Sequence, residues 1–176
     1  STHSIVVCKC ESGISLQLVD LSSPGVTIEQ QETIDDSRGH FLINFENVKS
    51  NLIGDKGNGW KSYETLINQA AVFFSYEQIG GSQATLDMAI NYAKERYAFG
   101  RPIGSYQAIK HKLADMYIAL TLAKSNCYYA AWALSTNSSD FPSASATARV
   151  SATKAYQLCS QENIQTHGGN GFTWEY

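Results

Sequence analysis

An arginine followed by an aromatic residue, a glycine and a proline stands near the middle of the chain, in the stretch ERYAFGRPIGSYQ, residues 95–107. Arg96 supplies a cation and Gln107 an amide donor, and such groups bind the oxygen atoms of phosphates and carboxylates. Gly100 and Pro102 stop a helix, so both side chains lie close to a turn. On spacing alone, a plain helix hairpin with a surface arginine remains the alternative to an anion site.

A second candidate is the glycine-rich stretch QTHGGNGFTWEY, residues 165–176. Gly168, Gly169 and Gly171 lack side chains, so their backbone N–H groups can approach a phosphate closely. The alternative is a helix C-cap followed by a glycine turn, because a G-G-x-G pattern by itself has low specificity.

Composition excludes several classes of protein. The net charge of -3 argues against a nucleic-acid binder, which normally carries a basic face. No apolar run approaches the roughly 18 residues of a membrane span. The histidines show no metal-ligand spacing, and the C-x-C of Cys8 and Cys10 is neither a zinc-finger nor a C-x-x-C redox spacing. With 43% hydrophobic residues, the chain can bury a substantial core.

The first 50 residues have the alternating pattern of β-strands. Ile14, Leu16 and Leu18 alternate with polar residues, and a similar run extends from Phe41 to Phe45. Alternation predicts strands with one buried face, which we expect to form part of an antiparallel β-barrel or β-sandwich domain. The glycine-rich residues 51–59 then predict a boundary, with one domain at 1–53 and a helical domain at 54–176.

Three long helices are predicted after this boundary, at about 60–97, 105–134 and 143–166. We expect a bend in the first helix at Gly80 and Gly81. Long helices with short links pack antiparallel, so the second half is predicted to be a helix bundle. The fold class is therefore an α+β fragment, with three bundle helices of an expected four.

The second predicted helix carries a heptad seam. Ser105 is its expected N-cap. Apolar residues follow at alternating steps of four and three, which predicts one continuous buried stripe. These positions are Ile109, Leu113, Met116, Leu120, Ala123, Cys127, Ala130 and Leu134.

Taken together, the two candidate stretches resemble the acyl-CoA dehydrogenase family. YAKERYAFGRPIGSYQAIKHKLADM contains Y-A-x-x-R-x-x-F-G, a glutamine seven residues later and L-A-D-M. IQTHGGNGFTWEY is similar to the family's second signature, Q-x-x-G-G-x-G-x-x-x-E-Y. SSPGV and NLIGDKGNGW resemble the end of the family's middle β-domain and the link to its helices. The similarity runs along nearly all of the chain, in the right order.

The resemblance implies FAD as the cofactor. Arg96 would contact the FAD pyrophosphate, Phe99 would pack on the adenosine end, and Gln107 would hydrogen-bond near it. In the family these groups reach the FAD of a neighbouring subunit, so cofactor binding and assembly are linked. Ala98 stands where a threonine is usual, which removes one hydroxyl contact. The positions implied to line the adenine–pyrophosphate region are Gln165, Gly168 and Gly169.

The resemblance also implies the reaction, which is α,β-desaturation of an acyl-CoA thioester. A carboxylate removes the α-proton, and a hydride leaves Cβ for flavin N5. Many members carry this carboxylate on a loop past the second signature, and others carry it on the first bundle helix, where this chain has Ala70 followed by Ala71. The catalytic base is therefore unknown. Glu77, about 10 Å further along the same face, is the candidate, and a structural glutamate bonded to a neighbouring helix is the alternative.

The implied partners are an acyl-CoA substrate and an electron-transfer flavoprotein or similar acceptor. We expect a homotetramer or heteromer built as a dimer of dimers, in the bacterial cytoplasm or the mitochondrial matrix. We also expect the chain to be part of a longer polypeptide and inactive by itself. The two alanines favour a second hypothesis, a non-catalytic subunit that completes a partner's FAD site. Small residues near Gly80 and Gly81 either leave room for a bulky acyl group or allow close helix packing.

Overall fold

The computed structural model describes residues 2–35 and 37–175 and has antiparallel β-strands ahead of three long helices. This order confirms the predicted α+β class. Tyr176, the last residue of the second signature, lies outside the described residues. The strands are β1 (His3–Cys10), β2 (Gly13–Asp20), β3 (Val26–Gln31), β4 (His40–Phe45), β5 (Asn51–Ile53), β6 (Tyr97–Ala98) and β7 (Arg101–Pro102). The helices are α1 (Gly59–Glu95), α2 (Gln107–Ser135) and α3 (Phe141–His167), with 3₁₀ turns at Ile103–Ser105 and Gly168–Phe172.

The chain divides into two units, residues 1–66 and 67–176. Helix α1 begins in the first unit and continues through the second. The domain boundary expected between residues 53 and 54 rests on the glycine-rich sequence and stays a prediction.

The first unit contains an antiparallel sheet in the order β1-β2-β5 and a separate β3–β4 ribbon. Leu16 is buried, as the alternation predicts, but Ser15 is buried as well, at 1% exposure. Ser15 lies inside because its hydroxyl accepts a hydrogen bond of 2.9 Å from the backbone N–H of Gly57, in the segment that leads into α1. The predicted buried face of β4 is wrong: Phe41 and Phe45 are exposed, because β4 belongs to a ribbon of only two strands.

The interior of the second unit follows the seam predicted for α2. Five of the eight predicted positions are buried, and the remaining three are half-buried. Helix α3 contributes a matching row of small side chains, and α1 contributes a third apolar face. The buried residues of α2 are Met116, Leu120, Ala123, Cys127, Ala130 and Ala133. Their neighbours in the core include Val72, Ile79, Leu86 and Ala89 of α1, and Ala144, Ala148, Ala152, Ala155 and Cys159 of α3.

The start of α2 differs from the sequence-based expectation. Tyr106, not Ser105, occupies the N-cap position, and it makes no capping bond through its side chain. The Ser105 hydroxyl instead donates to the carbonyl oxygen of Pro102 at 2.7 Å. Because Ser105 belongs to a 3₁₀ turn, the helix begins two residues later than predicted.

The two adjacent glycines of α1 have different surroundings, and α1 continues as one helix through both. A Cβ atom on Gly81 would lie 2.6 Å from the ring of Tyr156 on α3, so Gly81 allows the two helices to pack closely. A Cβ atom on Gly80 would meet no atom within 4 Å, and Gly80 is exposed. Close packing therefore explains Gly81, whereas the space beside Gly80 is open.

This difference predicts opposite effects of the same substitution at neighbouring positions. Gly80→Ala should raise the free energy of unfolding by about 0.5–1 kcal/mol, because alanine loses less backbone entropy in a helix. Gly81→Ala should be less stable than Gly80→Ala by about 1–3 kcal/mol, because its methyl group must displace the Tyr156 ring. Urea unfolding monitored by circular dichroism measures both. Equal stabilities of the two variants would contradict the packing assigned to Gly81.

Candidate functional site

A tight hairpin at the end of α1 positions Arg96. The Arg96 N–H donates to the carbonyl oxygen of Tyr92 at 2.8 Å, which continues the helical pattern by one residue. The Arg96 carbonyl oxygen accepts from the N–H of Ile103 at 2.8 Å. The backbone of Arg96 is therefore held from both sides, while its side chain is exposed to solvent.

The two residues at the tip of this hairpin both have positive φ angles, 53° at Phe99 and 78° at Gly100. Ala98 pairs with Arg101, so the turn has two central residues, and positive φ at both is the geometry of a type I′ turn. Glycine adopts this conformation without cost, but an aromatic residue does not. Phe99 is also 97% exposed. A strained, exposed aromatic side chain indicates a functional constraint at this tip.

The rest of the hairpin is braced by Tyr106. Its hydroxyl donates to the carbonyl oxygen of Ala98 at 3.0 Å. The guanidinium carbon of Arg101 lies 3.9 Å from the centroid of the Tyr106 ring, a cation–π contact. Gln107 follows as the first, exposed residue of α2. Arg101 thus stabilises the hairpin, whereas Arg96 and Gln107 are exposed beside the same turn.

The second candidate segment begins where α3 ends. Gly168 is the C-cap, with φ of 60°, and its N–H donates to the carbonyl oxygen of Gln165. A Cβ atom on Gly168 or Gly169 would meet nothing within 4 Å, so the space around both glycines is open. The side chain of Gln165 is exposed on the last turn of α3. The sequence alternative of a C-cap followed by a glycine turn describes this local geometry correctly.

The last part of α1, directly ahead of the first candidate stretch, contacts the second candidate segment. The ring centroids of Tyr92 and His167 lie 4.2 Å apart, and the Asn170 amide donates to the Tyr92 hydroxyl at 3.3 Å. Tyr92 lies one helical turn before Arg96, and His167 directly precedes Gly168. Sequence reasoning did not single out any of these three contacting residues. In the sequence, only their position inside the two family motifs could have pointed to them.

The most exposed aromatic side chains described for the second unit lie on the same two segments. Phe99, Phe172 and Trp174 are 97%, 90% and 102% exposed. They are the three most exposed large apolar side chains among the described residues 67–175. Exposed apolar groups next to polar ones are typical of surfaces that another molecule covers.

The residues considered for the catalytic base lie within α1, before the hairpin. Ala70 and Ala71 are half-buried in α1, and neither can take up a proton. Glu77 is exposed, close in sequence to Phe73, which is 69% exposed. Gly81, one helical turn after Glu77, packs against the Tyr156 ring of α3. The role of Glu77 as the base stays a prediction.

Outside these segments the structure offers little further chemistry. Hydrogen bonds from the hydroxyl of Ser12, the larger cause, and from that of Ser15 lower the pKa of the Cys10 thiol to about 7.

Across residues 2–35 and 37–175, no three His, Cys, Asp or Glu side chains form a group that could hold a metal ion. No helix within those ranges combines the length and apolar character needed to cross a membrane.

Comparison with known proteins identifies the family. The sequence profile of the acyl-CoA dehydrogenase C-terminal domain matches residues 57–176, so this chain belongs to the acyl-CoA dehydrogenase family. The mitochondrial short-chain specific acyl-CoA dehydrogenase of Rattus norvegicus is 36% identical over 168 residues, which cover 93% of this chain and 40% of that protein.

Two solved structures extend the likeness to the whole described fold. Butyryl-CoA dehydrogenase from Megasphaera elsdenii superposes with a TM-score of 0.93 at 25% identity, covering 100% of this chain and 48% of that one. A Tcur3481-Tcur3483 steroid acyl-CoA dehydrogenase variant superposes with a TM-score of 0.86 at 27% identity, covering 100% of this chain and 47% of that one. The chain thus spans less than half the length of these relatives.

The strained tip of the hairpin gives a prediction about Phe99. Phe99→Asn should raise the free energy of unfolding by about 1 kcal/mol, because asparagine tolerates the left-handed conformation better than phenylalanine. Phe172→Asn is the matched control, since Phe172 is also exposed but has no positive φ. Its stability should stay within about 0.5 kcal/mol of the parent. Chemical unfolding measures both, and a Phe99→Asn variant no more stable than the control would show that the tip carries no strain.

Proposed function

We propose that the chain is part of an FAD-dependent acyl-CoA dehydrogenase that desaturates the Cα–Cβ bond of an acyl-CoA thioester. Membership of the family supports the reaction class. The observation that carries the proposal is the contact of Tyr92, one helical turn before Arg96, with His167 and Asn170 at the glycine turn. Two segments distant in the sequence thereby offer their donors at one end of the bundle.

The donors at this end suit a dinucleotide diphosphate. Arg96 offers a guanidinium fork that matches phosphate oxygens, and Gln107 offers an amide. The open space around Gly168 and Gly169 allows a phosphate to approach the backbone closely. FAD, when bound, supplies the acceptor for the hydride. In this proposal the chain's own residues bind and orient the adenine–diphosphate half of the cofactor.

The exposure of these groups favours a site shared between subunits. Arg96 and Gln107 are exposed. Phe99, the proposed contact of the adenosine end, is almost fully exposed. Such residues become buried when a neighbouring subunit with its flavin covers them, which links cofactor binding to assembly. A dimer of dimers is the proposed assembly, and an electron-transfer flavoprotein or similar carrier is the proposed electron acceptor.

The colour and redox response of the protein test the proposal directly. The purified full-length protein should be yellow, and its flavin absorbance should bleach on addition of some members of an acyl-CoA panel. Reduction of an artificial electron acceptor should accompany the bleaching. A protein that holds no FAD and responds to no acyl-CoA would refute the proposed function.

A second candidate function is a non-catalytic subunit of a heteromeric acyl-CoA dehydrogenase. Ala70 and Ala71 favour it, because neither can act as the base that the family places on this helix in some members. Co-purification with a second dehydrogenase-like chain would favour this function, and full activity of the protein as a homo-oligomer would exclude it.

The proposed contact between Arg96 and FAD gives a mutational prediction. Arg96→Ala should weaken FAD binding by about 1.5–3 kcal/mol, the value of hydrogen bonds to a charged group. Lys94→Ala is the matched control, because Lys94 is an exposed cation in the last turn of α1 and lies outside the hairpin, and this variant should hold flavin as the parent does. Flavin release during dialysis measures both variants. If Arg96→Ala retains flavin as tightly as the parent, Arg96 does not contact the cofactor.

A further inference from the structure

Tyr92 contacts the second candidate segment at two separate points. Its ring lies against the His167 ring, with the planes inclined at 33°. Its hydroxyl accepts a hydrogen bond from the side-chain amide of Asn170, which lies in the middle of the 3₁₀ turn. One side chain of α1 therefore contacts both the last residue of α3 and the turn that follows it.

The orientation of the His167 ring is fixed on its own helix. Nδ1 lies 2.8 Å from the carbonyl oxygen of Asn163, one turn earlier. A carbonyl oxygen can only accept, so Nδ1 carries the proton and donates. His167 is only 6% exposed. The ring thus presents a fixed face to Tyr92.

The path of the glycine turn depends on a close approach to α3. A Cβ atom on Gly171 would lie 2.5 Å from the carbonyl oxygen of Ile164 and 3.0 Å from Cβ of His167. Only glycine lets the turn fold back this far onto the helix. This path carries Asn170 to the Tyr92 hydroxyl.

The space beside this contact is not filled by side chains. A small pocket of about 110 Å³ is lined by Met88, Asn163, Ile164, His167 and Gly171. Oδ1 of Asn163 is buried and has no hydrogen-bond partner among the described residues. The His167 ring and the 3₁₀ turn border this open space, and Tyr92 contacts both of them.

We infer that Tyr92, His167 and Asn170 are positioning residues: they hold the glycine turn at a fixed place relative to Arg96 and thereby set the affinity for the flavin. The inference rests on the proposed function, since it concerns the same diphosphate site. Groups that bind a phosphate must be held close to the binding geometry before the ligand arrives, because small displacements cost much of the interaction. Arg96 is tied to Tyr92 through the backbone bond at the helix end, so one residue aligns both segments.

A double-mutant cycle on the purified full-length protein tests this role. Tyr92→Phe keeps the ring and removes the acceptor, and Asn170→Ala removes the donor. Each should weaken flavin binding about fivefold, the value of one net hydrogen bond. The double variant should be no weaker than either single variant, because both remove the same bond. Amide hydrogen exchange at residues 168–172 should accelerate in all three. Tyr128→Phe is the control, since its ring contacts Tyr76 on another part of the bundle.

The outcomes separate this inference from the proposed function. If the parent protein holds flavin and both single variants hold it equally well, the positioning role is wrong and the proposed function stands. Faster amide hydrogen exchange at residues 168–172 with unchanged flavin affinity would also overturn the inference, because the glycine turn would then lie outside the flavin site. Additive losses in the double variant would show that the two residues act separately. A parent protein without flavin would refute the proposed function and the cofactor part of the inference together.

Discussion

The close approach of helices along small side chains is the constraint on which the second unit depends. Alanine, serine and cysteine fill most of its interior, and only a few larger residues, such as Leu86, Met116 and Leu120, are fully buried. Ser75 and Ser82, both buried on α1, need no partner on another helix, because they donate to carbonyl oxygens four residues earlier. Helices packed on short side chains have little freedom to slide or rotate, since every displacement opens a void or a clash. The helix ends are therefore fixed with respect to one another.

Fixed helix ends explain how a functional site can lie on short turns. The hairpin after α1 and the 3₁₀ turn after α3 are irregular, but each begins directly at the end of a rigid helix. The contact between the Tyr92 and His167 rings then links the end of α1 to the end of α3. This support also accounts for the conformation of Phe99, because a strained turn persists only where its surroundings determine it. Both the hydrogen bonds on either side of Arg96 and the contacts of Tyr106 provide such support.

The sequence predicted the features that depend on local patterns. The seam of α2 follows from its heptad spacing. Gly100 and Pro102 were expected to stop the first helix, but α1 already ends at Glu95, and both residues lie in the hairpin that follows. Features that depend on distant contacts were missed. Ser15 is polar yet buried, because its hydroxyl accepts a hydrogen bond from the backbone N–H of Gly57. Ser105 does not cap α2, because it lies in a 3₁₀ turn and donates to the carbonyl oxygen of Pro102. The meeting of Tyr92 with His167 and Asn170 could not be derived either, because nothing in the local pattern of either helix specifies which residues meet across a bundle.

The same geometry explains why the chain can have a well-formed candidate cofactor site and no assigned base. The groups proposed to hold the FAD diphosphate depend on the ends of α1 and α3, whereas residues 70 and 77 lie in the middle of α1. Ala70 is half-buried and lies 25 residues before Glu95, where α1 ends. Loss of a carboxylate there therefore does not disturb the hairpin or the glycine turn. Cofactor binding and proton abstraction are thus physically separable in this fold, and a chain can retain the first function whether or not it performs the second.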